Sequence, residues 1–204
     1  MVAIGAPAVE VFVVPRFADL LALDVAAIGV DMPIGLPVGG VRACDRAARA
    51  VLGPRRSSVF PAPARGVLGA AIWEEANARS RAIDGRGLAR QTFGLLAKIA
   101  EVDAVLTPAV QRWVVEVHPE VSFAAMAGQP MSFPKRTVEG RTARRALIAE
   151  RFEGVPVRLP GAAPDDVLDA CAVLWSAGRY ARGEHAVLGD GAVDERGLRM
   201  EMIT

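Results

Sequence analysis

The stretch Val25–Pro33, VAAIGVDMP, decides the fold of this 204-residue chain. From Val25 to Val30 every residue is apolar or glycine, which is the composition of a strand covered on both faces. Asp31 follows at once, and Pro33, which cannot donate to a sheet ladder, ends the run. The stretch predicts a buried strand with a carboxylate at its C-terminal end. Ligands of open α/β sheets collect there, which makes Asp31 a candidate site residue. An aspartate capping the turn before Pro33 accounts for it equally.

Working outward, Trp113–Val117 (WVVEV) is the next clear strand. It sets Glu116 between valines, and a carboxylate in such a run is costly unless paired or bound to a cation. The alternative is an edge strand whose Val114, Glu116 and His118 share a wet face. Val9–Val14 reads as a shorter strand, Phe17–Leu23 as a short helix, and Leu198–Ile203 alternates like a closing strand. Periodicity predicts helices over Val41–Leu52, Val67–Ile83, Leu88–Leu106, Val121–Ala127, Arg141–Phe152 and Pro164–Ala181, with Arg55–Gly66 irregular. Strands alternating with helices give one α/β domain over residues 1–204.

Charge excludes some partners. Lysine and arginine number 24 against 23 acids, so no global field drives the chain onto nucleic acid or membrane, and polyanion contacts must be local. Two segments qualify: Arg42–Arg65 with six arginines against Asp45, and Lys135–Arg151 with six bases against Glu139 and Glu150. Both also read as ordinary solvated faces. Cys44 and Cys171 are isolated, so no zinc ribbon or redox pair is available. The opening residues lack a signal-peptide pattern, and the longest uncharged stretch, Val121–Pro134, is too short and broken to span a bilayer. A cytoplasmic protein is expected, with no membrane partner.

Neither a nucleophile elbow nor a P-loop is present. In PDDVLDACAVLW, Pro164 fits a first helical turn and Asp165, Asp166 and Asp169 crowd the helix start, opposite the apolar stripe of Val167, Leu168, Cys171, Leu174 and Trp175. They converge on a ligand or simply complement the helix dipole. Hard cations such as magnesium or manganese take carboxylate oxygens, and metal-assisted phosphodiester cleavage needs little else. The two histidines, His118 and His185, are too separated for a zinc triad; His118 and Glu120 are candidates for groups behind the ligands.

The strings VDMPIGLP (30–37), RACDRAAR (42–49), RRSSVFPAP (55–63), GLARQTFGLLAKIAEVD (87–103), EVHPEVSF (116–123) and DDVLDA (165–170) together resemble the predicted-nuclease family of ribonuclease H-like fold known as domain of unknown function 429. The resemblance implies a mixed sheet flanked by helices, with carboxylates converging at one edge to bind Mg2+ or Mn2+ for phosphodiester cleavage. Carried over, Asp31 and Glu116 are the strand acids, Asp165, Asp166 and Asp169 the helix ligands, and Asp31, Glu116, Asp166 and Asp169 the catalytic set. Arg42, Arg46, Arg55, Arg56, Lys98, Lys135 and Arg136 are then candidate nucleic-acid contacts. Members of the family open with an Asp-bearing strand, whereas MVAIGAPAVEVFVV looks like only the third strand of that opening. The first strand or strands of the usual fold are therefore expected to be missing, and a catalytically depleted nucleic-acid-binding protein is the alternative to a nuclease.

Overall fold

The computed structural model describes residues 2–5 and 7–204. β1 (Val2–Ile4) and β2 (Glu10–Phe12) form an antiparallel pair, so the opening segment is a hairpin and not the single strand expected. A 3-10 turn over Phe17–Ala22 leads into β3 (Ile28–Val30). Helices α1 (Ala43–Leu52), α2 (Trp73–Asp84), α3 (Arg90–Phe93) and α4 (Leu96–Val105) precede β4 (Val114–Glu116). Then come α5 (Pro119–Ala127), α6 (Val138–Ala149) and α7 (Pro164–Arg182), before β5 (Val187–Leu188) and β6 (Met202–Ile203). The architecture is mixed α/β with much helix and little sheet. Among the described residues, no helix is long and apolar enough to cross a membrane.

β3 and β4 run parallel, with Val30 opposite Glu116. A bridge between Val117 and Ile203 links β4 to β6, which pairs antiparallel with β5. One face of this small sheet sets Val115, Val117 and Ile203 against Val173 and Tyr180 of α7. The other sets Ile28 and Val114 against Ile34, Val102, Leu106 and Leu198. β4 is thus covered on both sides, which excludes a wet face for Glu116. Of the apolar run before Asp31, only Ile28–Val30 is strand and only Ile28 is buried; Val25 and Ala26 are exposed, so the buried strand is shorter than the run that predicts it.

Gly29, at the centre of β3, sets how close α7 lies. A Cβ there would stand 2.7 Å from Val173 Cγ1 and 3.1 Å from the Val173 carbonyl oxygen, so only glycine lets the helix backbone approach the strand this closely. The contact brings the first turns of α7 alongside the end of β3, and with them Asp165 and Asp169 toward Asp31.

Three expected elements change shape for identifiable reasons. The helix over Leu88–Leu106 divides at Gly94, because Leu88 and Leu96 pack in one cluster while Ile99, Val102 and Leu106 belong to others. The helix expected from Val67 begins only at Trp73, where the Glu75 carboxylate accepts from the Ala71 amide at 2.9 Å and fixes the start. Of Leu198–Ile203 only Met202–Ile203 is strand, since Asp194 folds the chain back by accepting from the Leu198 amide at 2.9 Å.

Gly29→Ala should lower unfolding free energy by about 1–3 kcal/mol through overpacking, read as a shifted urea midpoint. Val173→Ala in the same chain should recover part of the loss. An unshifted midpoint in the single variant removes Gly29 as the determinant of helix approach.

Candidate functional site

The Glu116 side chain points into a buried ion-pair knot. Its Oε1 accepts from Arg42 Nη2 at 2.7 Å, and its Oε2 accepts from Arg42 Nη1 and from the Ile34 amide, both at 2.7 Å. Arg42 also donates to Asp45 at 2.6 Å and 3.2 Å and to the Ile34 and Gly35 carbonyls at 2.9 Å and 3.2 Å, while Asp45 accepts from the Ala62 amide at 3.0 Å. Burial works against the charge on Arg42, but the facing Glu116 and Asp45 outweigh it and raise its pKa well above the usual value.

Two sequence expectations are corrected here. Arg42 is 3% exposed and cannot contact a nucleic acid, and Glu116 gives both carboxylate oxygens to Arg42 and has none free for a metal. Among the described residues, one group of three ligand-type atoms lies within 4.8 Å of one another, from Cys44, Asp45 and Glu116. The Arg42 guanidinium already supplies its positive charge, and burial pushes the Cys44 thiol up to about 12, so it stays protonated.

Beside this knot opens a crevice lined by Asp31, Met32, Pro33, Val59, Phe60 and His118. Asp31, an exposed residue, stands at the carboxyl end of β3, where desolvation of its carboxyl by the surrounding protein raises its pKa against the pull of His118 and Lys135. From α7, Asp169 accepts from Lys135 Nζ at 2.7 Å, and Asp165 lies 3.7 Å from the same ammonium. Burial lifts Asp169 to about 6; Lys135 opposes the shift, and the charges of Asp31 and Glu120 add to it. Lys135 is raised in turn: burial opposes its charge, and Asp169, Asp165 and Asp31 prevail. These mutual effects make Asp31, Asp165, Asp169 and Lys135 one electrostatic unit.

Two polar atoms around this unit are shielded from water and lack any hydrogen-bond partner: Asp169 Oδ1 and His118 Nδ1. A native fold rarely leaves such atoms unmatched. The other ring nitrogen of His118, Nε2, lies 3.2 Å from the Ser58 carbonyl oxygen. That carbonyl belongs to the 3-10 turn Gly53–Ser58, which also carries Arg55 and Arg56.

The remaining candidates separate. Asp166 is exposed and accepts from the Ala163 amide at 3.1 Å, which caps α7 and turns it away from the other acids. Glu120 is buried in a bidentate pair with Arg144, at 2.9 Å and 2.7 Å. Arg144 also donates to the Phe133 and Gly140 carbonyls at 3.1 Å and 2.9 Å, holding the segment that carries Lys135. Gly140 is required there, because a Cβ would fall 1.9 Å from the Pro134 carbonyl oxygen. Arg46, Arg56 and Arg136 are exposed, and the Arg55 Nε has no partner. Lys98 is exposed on α4, which lends no residue to the crevice.

Sequence reasoning missed the roles of Asp45 and Arg144. The spacing of Arg42 and Asp45 in RACD is that of a helical ion pair and signals the first. Nothing in the basic run around Arg144 marks it as buried.

The family described as protein of unknown function (DUF429) matches residues 1–193. No curated protein and no solved structure matches the chain.

The raised pKa of Asp169 makes a linkage prediction. The folded state holds this proton more tightly than the unfolded chain, so its contribution to stability is complete below about pH 4 and is lost as pH rises through about 6. Asp169→Asn, which cannot ionise, should therefore be more stable than the unaltered chain at pH 7.5 by about 1–3 kcal/mol, with the gap closing near pH 4. Denaturation at both pH values tests this; a variant less stable at pH 7.5 refutes it.

Proposed function

Because the chain belongs to the DUF429 family, a family of unknown function, we propose its activity from the site itself: metal-dependent hydrolysis of phosphodiester bonds in nucleic acid, on a ribonuclease H-like scaffold. The observation that carries this reading is the pairing of Asp31, at the carboxyl end of a parallel strand, with Asp169 on the helix that Gly29 admits against that strand. The buried carboxylates Glu116, Asp45 and Glu120 are saturated by arginine; these are not.

The donor chemistry fits a hard divalent cation, Mg2+ or Mn2+. Asp31, Asp165 and Asp169 would hold it, Asp169 Oδ1 lacks a partner, and the Lys135 ammonium already marks where positive charge is favoured. Such an ion supplies charge against the developing negative charge on phosphoryl oxygens and lowers the pKa of a bound water. The chain's own residues do the rest. Arg55, Arg56 and Arg136 bind the phosphate backbone along the crevice rim, and Lys135, on releasing Asp169, pairs with a phosphoryl oxygen. The Glu120–Arg144 pair keeps the Lys135 segment in place during that exchange.

A second reading, nucleic-acid binding without hydrolysis, is favoured by one observation. Lys135 already neutralises Asp165 and Asp169.

Purified protein with Mn2+ should cut single- or double-stranded DNA or RNA, and Asp31→Asn should slow cleavage at least about 100-fold without lowering stability. Retained cleavage in that variant sinks the assignment; binding with no cleavage under either metal moves it to the second reading. Under both readings Arg55→Ala with Arg56→Ala should weaken binding and flatten its dependence on salt by about two phosphate contacts. Binding indifferent to salt argues against any polyanion partner.

A further inference from the structure

We propose that a second cleft, at the end of the sheet opposite Asp31, binds a phosphate group between Arg112 and Arg199. The cleft has a volume of about 510 Å³ and is lined by Ala26, Arg112, Tyr180, His185, Arg199 and Glu201. Ala26 stands two residues before β3 and Arg112 two before β4. Ile28 pairs with Val114 in the parallel ladder, so both residues lie at the amino ends of adjacent strands. None of the six lines the Asp31 crevice, and phosphate binding here needs neither metal nor hydrolysis.

A buried glutamine fixes the spacing of the two arginines. Gln111 is buried, and its side-chain amide accepts from the Arg199 backbone N–H and donates to the Arg199 carbonyl, both at 2.8 Å. It thereby clamps the segment before β6 against the 3-10 turn Val110–Arg112. From α7 the Tyr180 hydroxyl donates to the Arg112 carbonyl at 2.9 Å, and the Tyr180 ring centre lies 4.7 Å from that of His185. Three separate stretches of chain are thus tied together around the cleft, and its walls are set before any ligand arrives.

The charged groups keep capacity to spare. Arg42 and Arg144 spend their donors on carboxylates and carbonyls, whereas Arg112 is exposed and, among the described residues, pairs with no acid. Arg199 gives Nε to Glu201 at 2.7 Å and Nη2 to the Gln111 carbonyl at 3.4 Å, which orients the guanidinium and leaves Nη1 over. Arg112 and Arg199 against Glu201 make the lining net positive. The carbonyls ending α7, which would repel an anion, are covered: that of Tyr180 accepts from the Gly183 amide at 3.0 Å and that of Arg179 from the Glu184 amide at 2.9 Å. A carboxylate offers two oxygens to such a cleft. A terminal phosphate offers three, enough for both guanidinium groups and the imidazole beside them.

The chain has two histidines, one at each site, so their ring-proton resonances report where an anion binds; a His118→Gln variant assigns them. Inorganic phosphate titrated into the full chain in metal-free buffer should move the His185 signals to saturation and leave those of His118 in place. Arg112→Gln should weaken phosphate about 10- to 100-fold with an unshifted urea midpoint. Phosphate that moves neither histidine, or His118 alone, overturns the proposal, as does an Arg112→Gln chain that binds it as tightly as the unaltered one. Two further titrations identify the source of the phosphate. Affinity for a 5′-mononucleotide lost in Arg112→Gln sustains the site as one for a small phosphate ester; affinity lost for a short single-stranded oligonucleotide alone sustains it as a contact for a passing strand. Without metal these measurements are blind to cleavage, so their failure leaves the reading of the Asp31 crevice where it stands.

Discussion

A guanidinium locked between two carboxylates holds the centre of this protein together. Arg42, Glu116 and Asp45 are all nearly inaccessible to water, and ions of that kind are costly to bury unless their hydrogen-bonding capacity is filled. Here it is filled. Glu116 takes the Ile34 amide, Arg42 covers the Ile34 and Gly35 carbonyls, and Asp45 takes the Ala62 amide. The knot replaces regular secondary structure for the loop after β3, whose residues Pro33–Pro37 are buried yet belong to no strand or helix. Buried backbone must find partners somewhere, and this loop finds them on Arg42, Glu116, Asp194 and the Arg65 amide. Asp31 is the first residue of that loop, so its place depends on the same partners.

The pair of Glu120 and Arg144 works the same way on the opposite wall, satisfying the Phe133 and Gly140 carbonyls and steadying the segment that carries Lys135. Between the two pairs the pattern inverts. Asp31 faces solvent, Asp169 has one oxygen on Lys135 and the other on nothing, and His118 has an idle nitrogen. The arginine-paired acids lie on α1, β4 and α5 and the crevice acids at the end of β3 and on α7, and their partners differ in kind. Arginine, planar and five-donor, saturates a carboxylate in two parallel bonds; lysine, a single point of charge, leaves capacity over. The choice of base against each acid is therefore what separates scaffold from site.

Much of the frame was readable in the residue order. The apolar run before Asp31 signalled the strand Ile28–Val30 but overstated its length, and the close approach of α7 at Gly29 is visible only in the fold. Carboxylates were harder, because a strand pattern states that an acid will be buried without stating what meets it. Glu116 was read as a ligand for the reason that makes it an ion-pair partner, namely the cost of leaving it alone. Arg42 looked like surface because it lies in a basic run, and no local signal ties it to a glutamate 74 positions away. Asp166 and Asp169 are equivalent in DDVLDA, and only the place of Lys135 and the cap at Ala163 distinguish them. Periodicity reports burial; pairing across the fold is a tertiary fact.

The electrostatics of the crevice give a physical reason to regard it as a place where something binds. Burial and the neighbouring charges of Asp31 and Glu120 hold Asp169 half-protonated near pH 6 even with an ammonium against it. A chain under no constraint but stability would place an amide or an apolar group there, since an ionised, half-satisfied carboxylate weakens the folded state. Strain of this sort is tolerated where function uses it. A second positive charge at the crevice would relieve the Asp31–Asp169 repulsion, occupy the idle Asp169 oxygen and free Lys135 together. Each of those three changes would favour an incoming anion, so under the proposed reading the charges already fixed there would couple the two binding events.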